Sequence, residues 1–231
     1  MKRKRRQIKR GLKRVEIEES TPSVGKLTNS FDSIAWVYDS LAKLVFGDTI
    51  QSAQLEFLAE IKPSSSVLII GGGTGWILNE LDSLSVSINV DYIEASVKML
   101  EKSKLRGPFR NIEVRFIRGT QDSIQEHTQY NVIITNFFLD VFTEDNLLNV
   151  MQKLDSSLSE EGTWMMTDFV ENGKWWQRLL VKMMYSFFRI TTRLEGRELQ
   201  NFDYYFRNMG YSLIKEMGFF KQMIASRIYA K

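Results

Sequence analysis

The sequence predicts an α/β domain, a doubly wound and mainly parallel sheet closed by an antiparallel C-terminal strand. Three observations predict it. An uninterrupted apolar run, VLII at 67–70, leads straight into four glycines within five residues. Strand-like and helix-like segments then alternate to about residue 170. The chain closes on two strand-like runs in YSLIKEMGFFKQMIASRIYAK, the pattern of a hairpin added to a sheet edge.

The elements follow in order. Residues 31–61 show apolar positions at helical spacing with a break near Gly47-Asp48, so two helices are expected. Lys62-Pro63-Ser64-Ser65-Ser66 makes a turn before the first strand. Val67–Ile70 has no polar interruption, as in a strand covered on both faces of a parallel sheet. A helix at about 75–84, a strand in SINVDYIE, a helix at about 95–105, a Gly107-Pro108 turn and a strand in IEVRFIRG come next. A short linking segment precedes the strand YNVIITNF and a helix at about 143–159. Ser159-Glu160-Glu161-Gly162 turns the chain into a fifth strand, TWMMTDFV, and a further helix is expected at about 197–209. Alternation of this kind implies right-handed crossovers.

The glycines carry the first functional signal. Without Cβ, Gly71, Gly72, Gly73 and Gly75 let the backbone turn at positive φ and let a ligand come close to the main chain. A helix starting after them offers free N–H groups to a polar or anionic ligand. Strand, glycine turn and helix therefore make a nucleotide-type binding element. A dinucleotide fingerprint wants G-x-G-x-x-G, yet the third position counted from Gly71 is Trp76. The glycines present spell G-x-G-x-G, which also suits a tight turn with no ligand.

Composition narrows the chemistry. At 231 residues and 43% hydrophobic, the chain can build one full-sized core. It has no cysteine, which excludes disulfides, thiol catalysis and thiolate metal sites and suits a reducing, cytoplasmic setting. Its single histidine, His127, lies in the polar stretch QEHTQY and is expected on a surface loop, so no metal site is expected. No apolar stretch reaches the roughly 18 residues of a membrane span. Charge is unevenly spread: residues 1–26 hold ten Lys/Arg against three Glu, a balance of +7, while 27–231 balance at −4. The basic residues form a tail, expected to be flexible, that suits a nucleic acid, an anionic membrane or plain solvent.

Residues 174–194, KWWQRLLVKMMYSFFRITTRL, are dense in aromatics and methionine. Lys174, Arg178 and Lys182 recur every four residues, as do Arg189 and Arg193. As a helix this segment would set basic stripes beside an apolar face, able to lid an apolar substrate, touch a membrane surface or pack on its own domain. The expected organisation is a tail at 1–26 and one domain at 27–231, with 171–209 as a helical insert over the substrate.

A five-strand alternation that opens on G-x-G-x-G and closes with an antiparallel pair resembles the class I S-adenosylmethionine-dependent methyltransferases, with a seven-stranded Rossmann-like sheet. The likeness covers roughly residues 30–231. FDSIAWVYD (Phe31–Asp39) followed by VLIIGGGTG resembles the ubiquinone/menaquinone-biosynthesis C-methyltransferase branch, with its methyltransferase type 11/25-like domain. The resemblance implies S-adenosylmethionine as cofactor and a small, apolar or aromatic acceptor, such as a quinone-like one. The family's acid stands five residues before a Met-Leu pair, which selects Glu94, ahead of Met99-Leu100, over Asp91 as the ribose ligand. Ala95 and Met99 belong to the same cofactor set. Where the family shows Gly-Asp-Ala, this chain has Gly119-Thr120-Gln121, so Thr120 or Gln121, or the neighbouring Asp122, is implied at the adenine. An acid that often precedes the glycines is Ile69 here.

Thr135–Asp140, TNFFLD, matches the segment beside the family's methyl-transfer site. It implies Asn136 and Phe137 along the methionine portion, Asp140 on the substrate side and Tyr38 over the cofactor. Methyl transfer from a sulfonium needs positioning and exclusion of water rather than a metal or covalent nucleophile. A general base helps a carbon or phenol acceptor, and the candidates are Asp140, then Tyr38 and Asp168. Two other readings stay open: a non-catalytic partner or regulatory protein on a cofactor fold, fed by Ile69 and Thr120, and a nucleic-acid methyltransferase guided by the tail. An NAD-dependent oxidoreductase is opposed by Trp76.

Overall fold

The computed structural model describes residues 46–170 and 200–231. The basic tail, Tyr38, the first expected N-terminal helix and the segment 174–194 lie outside the described residues.

Seven strands form one sheet in the order β3-β2-β1-β4-β5-β7-β6. They are β1 (Ser66–Ile70), β2 (Ile88–Glu94), β3 (Ile112–Arg118), β4 (Tyr130–Asn136), β5 (Leu158–Phe169), β6 (Ser212–Phe219) and β7 (Ile224–Ala230). β1 to β5 pair in parallel, while β7 runs antiparallel between β5 and β6. Among the described residues the α-helices are α1 (Thr49–Leu55), α2 (Trp76–Ser83), α3 (Val97–Lys104), α4 (Glu144–Asp155) and α5 (Phe202–Asn208). This is the Rossmann-like, seven-stranded sheet expected, and strand order reverses between β1 and β4, where open α/β sheets bind ligands.

The apolar runs are explained by burial on both faces. Leu68 and Ile70 of β1 pack with Ile93, Ile133, Trp164 and Phe206 on one side. Val67 and Ile69 pack with Val90, Tyr92, Ile134 and Met165 on the other. Trp164, fully buried in β5, donates its indole N–H to Thr135 Oγ1 at 2.9 Å, so its one polar atom is satisfied.

Several boundaries differ from the expected ones for local reasons. α4 ends at Asp155 because Ser156 and Ser157 turn their hydroxyls onto the carbonyls of Lys153 and Leu154. The expected turn at 159–162 lies inside β5, as an irregularity where pairing jumps from Tyr130↔Leu158 to Val132↔Thr163. Gly162 permits it, since a Cβ there would fall 2.6 Å from Leu158 Cδ1. α5 starts late because Asn201 caps it, its side chain accepting the Tyr204 N–H at 3.3 Å.

Candidate active site

The carboxyl ends of β1, β2, β4 and β5 bring the chemistry-bearing residues to one edge of the sheet. Gly71, Gly73 and Gly75 have φ of +66°, +65° and +75°, the left-handed region that glycine adopts without strain. Each serves a neighbour as well as the turn. A Cβ on Gly71 would lie 2.5 Å from Phe138 Cδ2, and one on Gly72 would overlap the Tyr92 ring. A Cβ on Gly75 would lie 2.5 Å from Ser103 Cβ of α3, so Gly75 provides the close packing that Trp76 cannot. Trp76 instead opens α2 with its ring packed on the core. Above Gly73 the space is open.

Glu94 closes the turn from β2. Its Oε2 accepts the Gly73 N–H at 2.8 Å, and its Oε1 accepts the Ser96 N–H at 2.7 Å. Ser96 caps α3 by accepting the Met99 N–H at 3.2 Å, which sets Ala95 and Met99 at the same edge. The other side of Gly73 is held by Tyr92, whose buried hydroxyl donates to the Gly73 carbonyl at 2.9 Å. Burial, and then the nearby Glu94 charge, push the Tyr92 phenol well above its ordinary range, so it stays a donor. Sequence reasoning missed Tyr92; the one signal available was an aromatic two residues before the acid on the same strand.

Asp91 lies elsewhere. It sits mid-strand beside Arg115 of β3 and accepts the Tyr130 hydroxyl at 2.6 Å. Burial raises its carboxyl, but the bonds from Arg115 and Tyr130 outweigh that and hold it below the usual range. Ile69, which stands where the resemblance implied an acid, is buried in the core.

At the end of β3, Thr120 caps a 3-10 turn over Gln121–Ser123, its Oγ1 accepting the Asp122 N–H at 3.4 Å. Gln121 is half-buried and Asp122 exposed, so an amide and a carboxylate share this corner with the hydroxyl. His127 is exposed, and no group of residues able to hold a metal ion occurs among the described residues.

Past β4, Asn136 shares a small cavity with Ala53 and Gln54 of α1 and with Thr167. Phe137, at φ +50°, packs against Phe169 with ring centroids 5.0 Å apart and planes tilted by 56°. Phe138 is the ring that meets Gly71. Asp140 lies in the 3-10 turn Leu139–Val141, and its N–H donates to Asp168 Oδ2 at 3.3 Å. Both aspartates are buried. Burial pushes the Asp140 carboxyl up to about 7, partly countered by its bond with Asp168. Complete burial and the Asp140 charge push Asp168 well above the carboxylate range. Their pairing joins residues 28 apart, and nothing in the spacing announces it.

The glycine cradle, its open side at Gly73 and the carboxylate at its edge fit a nucleoside-bearing cofactor that approaches the main chain closely. Residues 67–162 match a family model described as "Methyltransferase domain". No curated protein matches the chain. Among solved structures, the mitomycin 7-O-methyltransferase MmcR is 12% identical, with a TM-score of 0.65 over 91% of this chain and 61% of its own. A DhpI complex with SAM and HEP is 17% identical, with a TM-score of 0.63 over 92% of this chain and 100% of its own. A TehB-like SAM-dependent methyltransferase from Corynebacterium glutamicum is 13% identical, with a TM-score of 0.56 over 88% of this chain and 98% of its own. The chain thus spans only 61% of the length of the mitomycin enzyme, and the likeness to all three is one of fold.

Proposed function

We propose, from the methyltransferase domain over residues 67–162, that the chain moves a methyl group from S-adenosylmethionine to a small, apolar or aromatic molecule. The observation that carries this reading is the double hold on Gly73, with Glu94 on its N–H and Tyr92 on its carbonyl. That hold presents a glycine main chain and a carboxylate together at the switch point of the sheet. Structural neighbours solved with SAM or SAH support the cofactor.

Each residue has a task in this reading. Glu94 accepts the ribose hydroxyls, and Thr120, Gln121 or Asp122 meets the adenine. The Gly71–Gly75 backbone and Asn136 take the methionine portion, with carbonyls near Gly71 serving in place of the acid that Ile69 replaces. Tyr38 covers the cofactor, and Asp140 faces the acceptor. Bound there, the cofactor supplies a methyl group already activated for in-line displacement. The protein's share is then to orient donor and acceptor and to keep water out. Such positioning accounts for an enzyme with no cysteine and one histidine. A quinone-like acceptor is the finer form of the proposal, drawn from the likeness of residues 31–39 and 67–75 to the quinone-biosynthesis branch.

Titration calorimetry with S-adenosylmethionine, S-adenosylhomocysteine and NADH tests it. Micromolar binding of the first two, weakened at least tenfold in Glu94→Ala, is expected, corresponding to about 1.4 kcal/mol or more. Binding of NADH alone, or of none of the three, sinks the reading.

A further inference from the structure

Asp140 and Asp168 are an unusual use of two carboxyl groups. They sit at the carboxyl ends of neighbouring parallel strands, where Asn136 pairs with Thr167, on the same edge as Glu94 and the glycines. Asp168 is fully buried and accepts the Phe169 N–H at 2.9 Å and the Asp140 N–H at 3.3 Å. Asp140 is 9% exposed, and its Oδ1 is buried with no hydrogen-bond partner among the described residues. Among the described residues, each aspartate is the only ionisable group acting on the other. Among the described residues no cation lies against the pair. A buried acceptor without a donor is costly and calls for a reason.

Resting on the methyltransferase reading, we propose that Asp140 and Asp168 form a proton-accepting pair, in which Asp140 Oδ1 binds the hydroxyl of a neutral, aromatic methyl acceptor. Two like charges this close and this buried cannot both persist, so the pair holds one proton and one negative charge. In this proposal the proton rests on Asp168, the more deeply buried of the two, which leaves Asp140 Oδ1 able to accept. The backbone N–H groups of Phe169, Asp140 and Leu139 favour its charged form but are outweighed by burial and by the Asp140 charge. Asp140 then carries the charge, and its rise to about 7 suits a base working near neutrality.

The proton balance selects the acceptor group. A hydroxyl oxygen becomes a good nucleophile only as it loses its proton. The new O–C bond forms while the S–C bond breaks and leaves its electron pair on sulfur. The hydroxyl proton passes to Asp140 Oδ1, so sulfonium and carboxylate become thioether and carboxylic acid, and charge is conserved. A carboxylate acceptor would meet a buried negative charge, and a protonated amine has no lone pair to give. Phe138 and Phe142 bracket Asp140 in sequence, are partly buried and meet edge to face at 5.1 Å, so an aromatic acceptor held by Asp140 would have apolar rings for neighbours.

Calorimetry on the full chain, with phenol and benzoate as probes near pH 7.5, decides it. Phenol should bind the wild-type protein at least tenfold more tightly than benzoate. Asp140→Asn should weaken phenol about tenfold and leave S-adenosylmethionine binding unchanged. Asp168→Asn, which leaves Asp140 in place, serves if the first variant fails to fold, and it should preserve the preference for phenol. On protein carrying 13C-labelled aspartate carboxyls, phenol should shift a resonance that is missing from Asp140→Asn. Equal or tighter binding of benzoate, unchanged phenol binding in Asp140→Asn, or binding of neither probe overturns the proposal. Failure of S-adenosylmethionine to bind overturns the cofactor reading instead, and the phenol comparison still decides the pair.

Discussion

Single side chains at this site work mainly on the main chain beside them. Glu94 and Tyr92 grip opposite groups flanking one glycine, so the turn is held before any ligand arrives. Tyr92→Phe keeps the ring under Gly72 and deletes one buried hydrogen bond. It should lower stability by about 1 kcal/mol in urea unfolding. It should also weaken S-adenosylmethionine more than it slows turnover, and an unchanged affinity would reduce Tyr92 to a packing residue. Asp140 allows a test through pH. Its folded carboxyl titrates near 7, above the ordinary 3.8. A raised value means that the native state binds this proton more tightly, so the stabilisation is complete below about pH 4 and disappears as pH rises through about 7. Asp140→Asn should therefore gain stability relative to wild type between pH 5 and pH 8. Unfolding midpoints whose difference stays flat across that range would contradict the buried, titrating carboxyl.

Elements meet here through glycine and through caps. The turn between β1 and α2 admits Phe138 from one side and Ser103 of α3 from another, and both contacts need a missing Cβ. Gly71→Ala joins a left-handed φ of +66° to a collision with the Phe138 ring. A loss of about 1–3 kcal/mol is expected, together with loss of cofactor binding. Thermal unfolding and calorimetry read the two effects separately. At the other end of the chain, Asn201→Ala removes the cap of α5 and should cost about 1 kcal/mol without touching cofactor affinity. A loss of affinity in that variant would mean that α5 is coupled to the site.

Across the whole molecule, one sheet divides two apolar layers and carries every described site residue along a single edge. β5 holds both together, since it pairs with β4 and β7 and buries Trp164 completely. Trp164→Ala should cost about 3–5 kcal/mol in a cooperative transition seen alike by circular dichroism and fluorescence. A variant that unfolds in two separate steps would show that the two layers are independent units. Charge is divided along the chain instead: +7 in residues 1–26 and −4 in the rest. Solubility and encounter with charged partners therefore differ between the two parts.

The sequence by itself determined the layer architecture and the glycine turn at the edge of the sheet. A parallel sheet buries both faces of each strand, and that leaves an apolar run such as VLII legible without any partner. A positive-φ turn demands glycine, and that leaves Gly71, Gly73 and Gly75 legible as well. Helix ends were read less closely, because the hydroxyls of Ser156 and Ser157 and the amide of Asn201 compete with helical periodicity over one or two residues. Tertiary structure alone decided which groups meet. It put Phe138 against Gly71, set Tyr92 beside Gly73, made Gly75 the seat of α3 and drew Asp140 against Asp168. Such pairings depend on strand order and register, and those follow from the packing of the whole sheet rather than from any local run of residues.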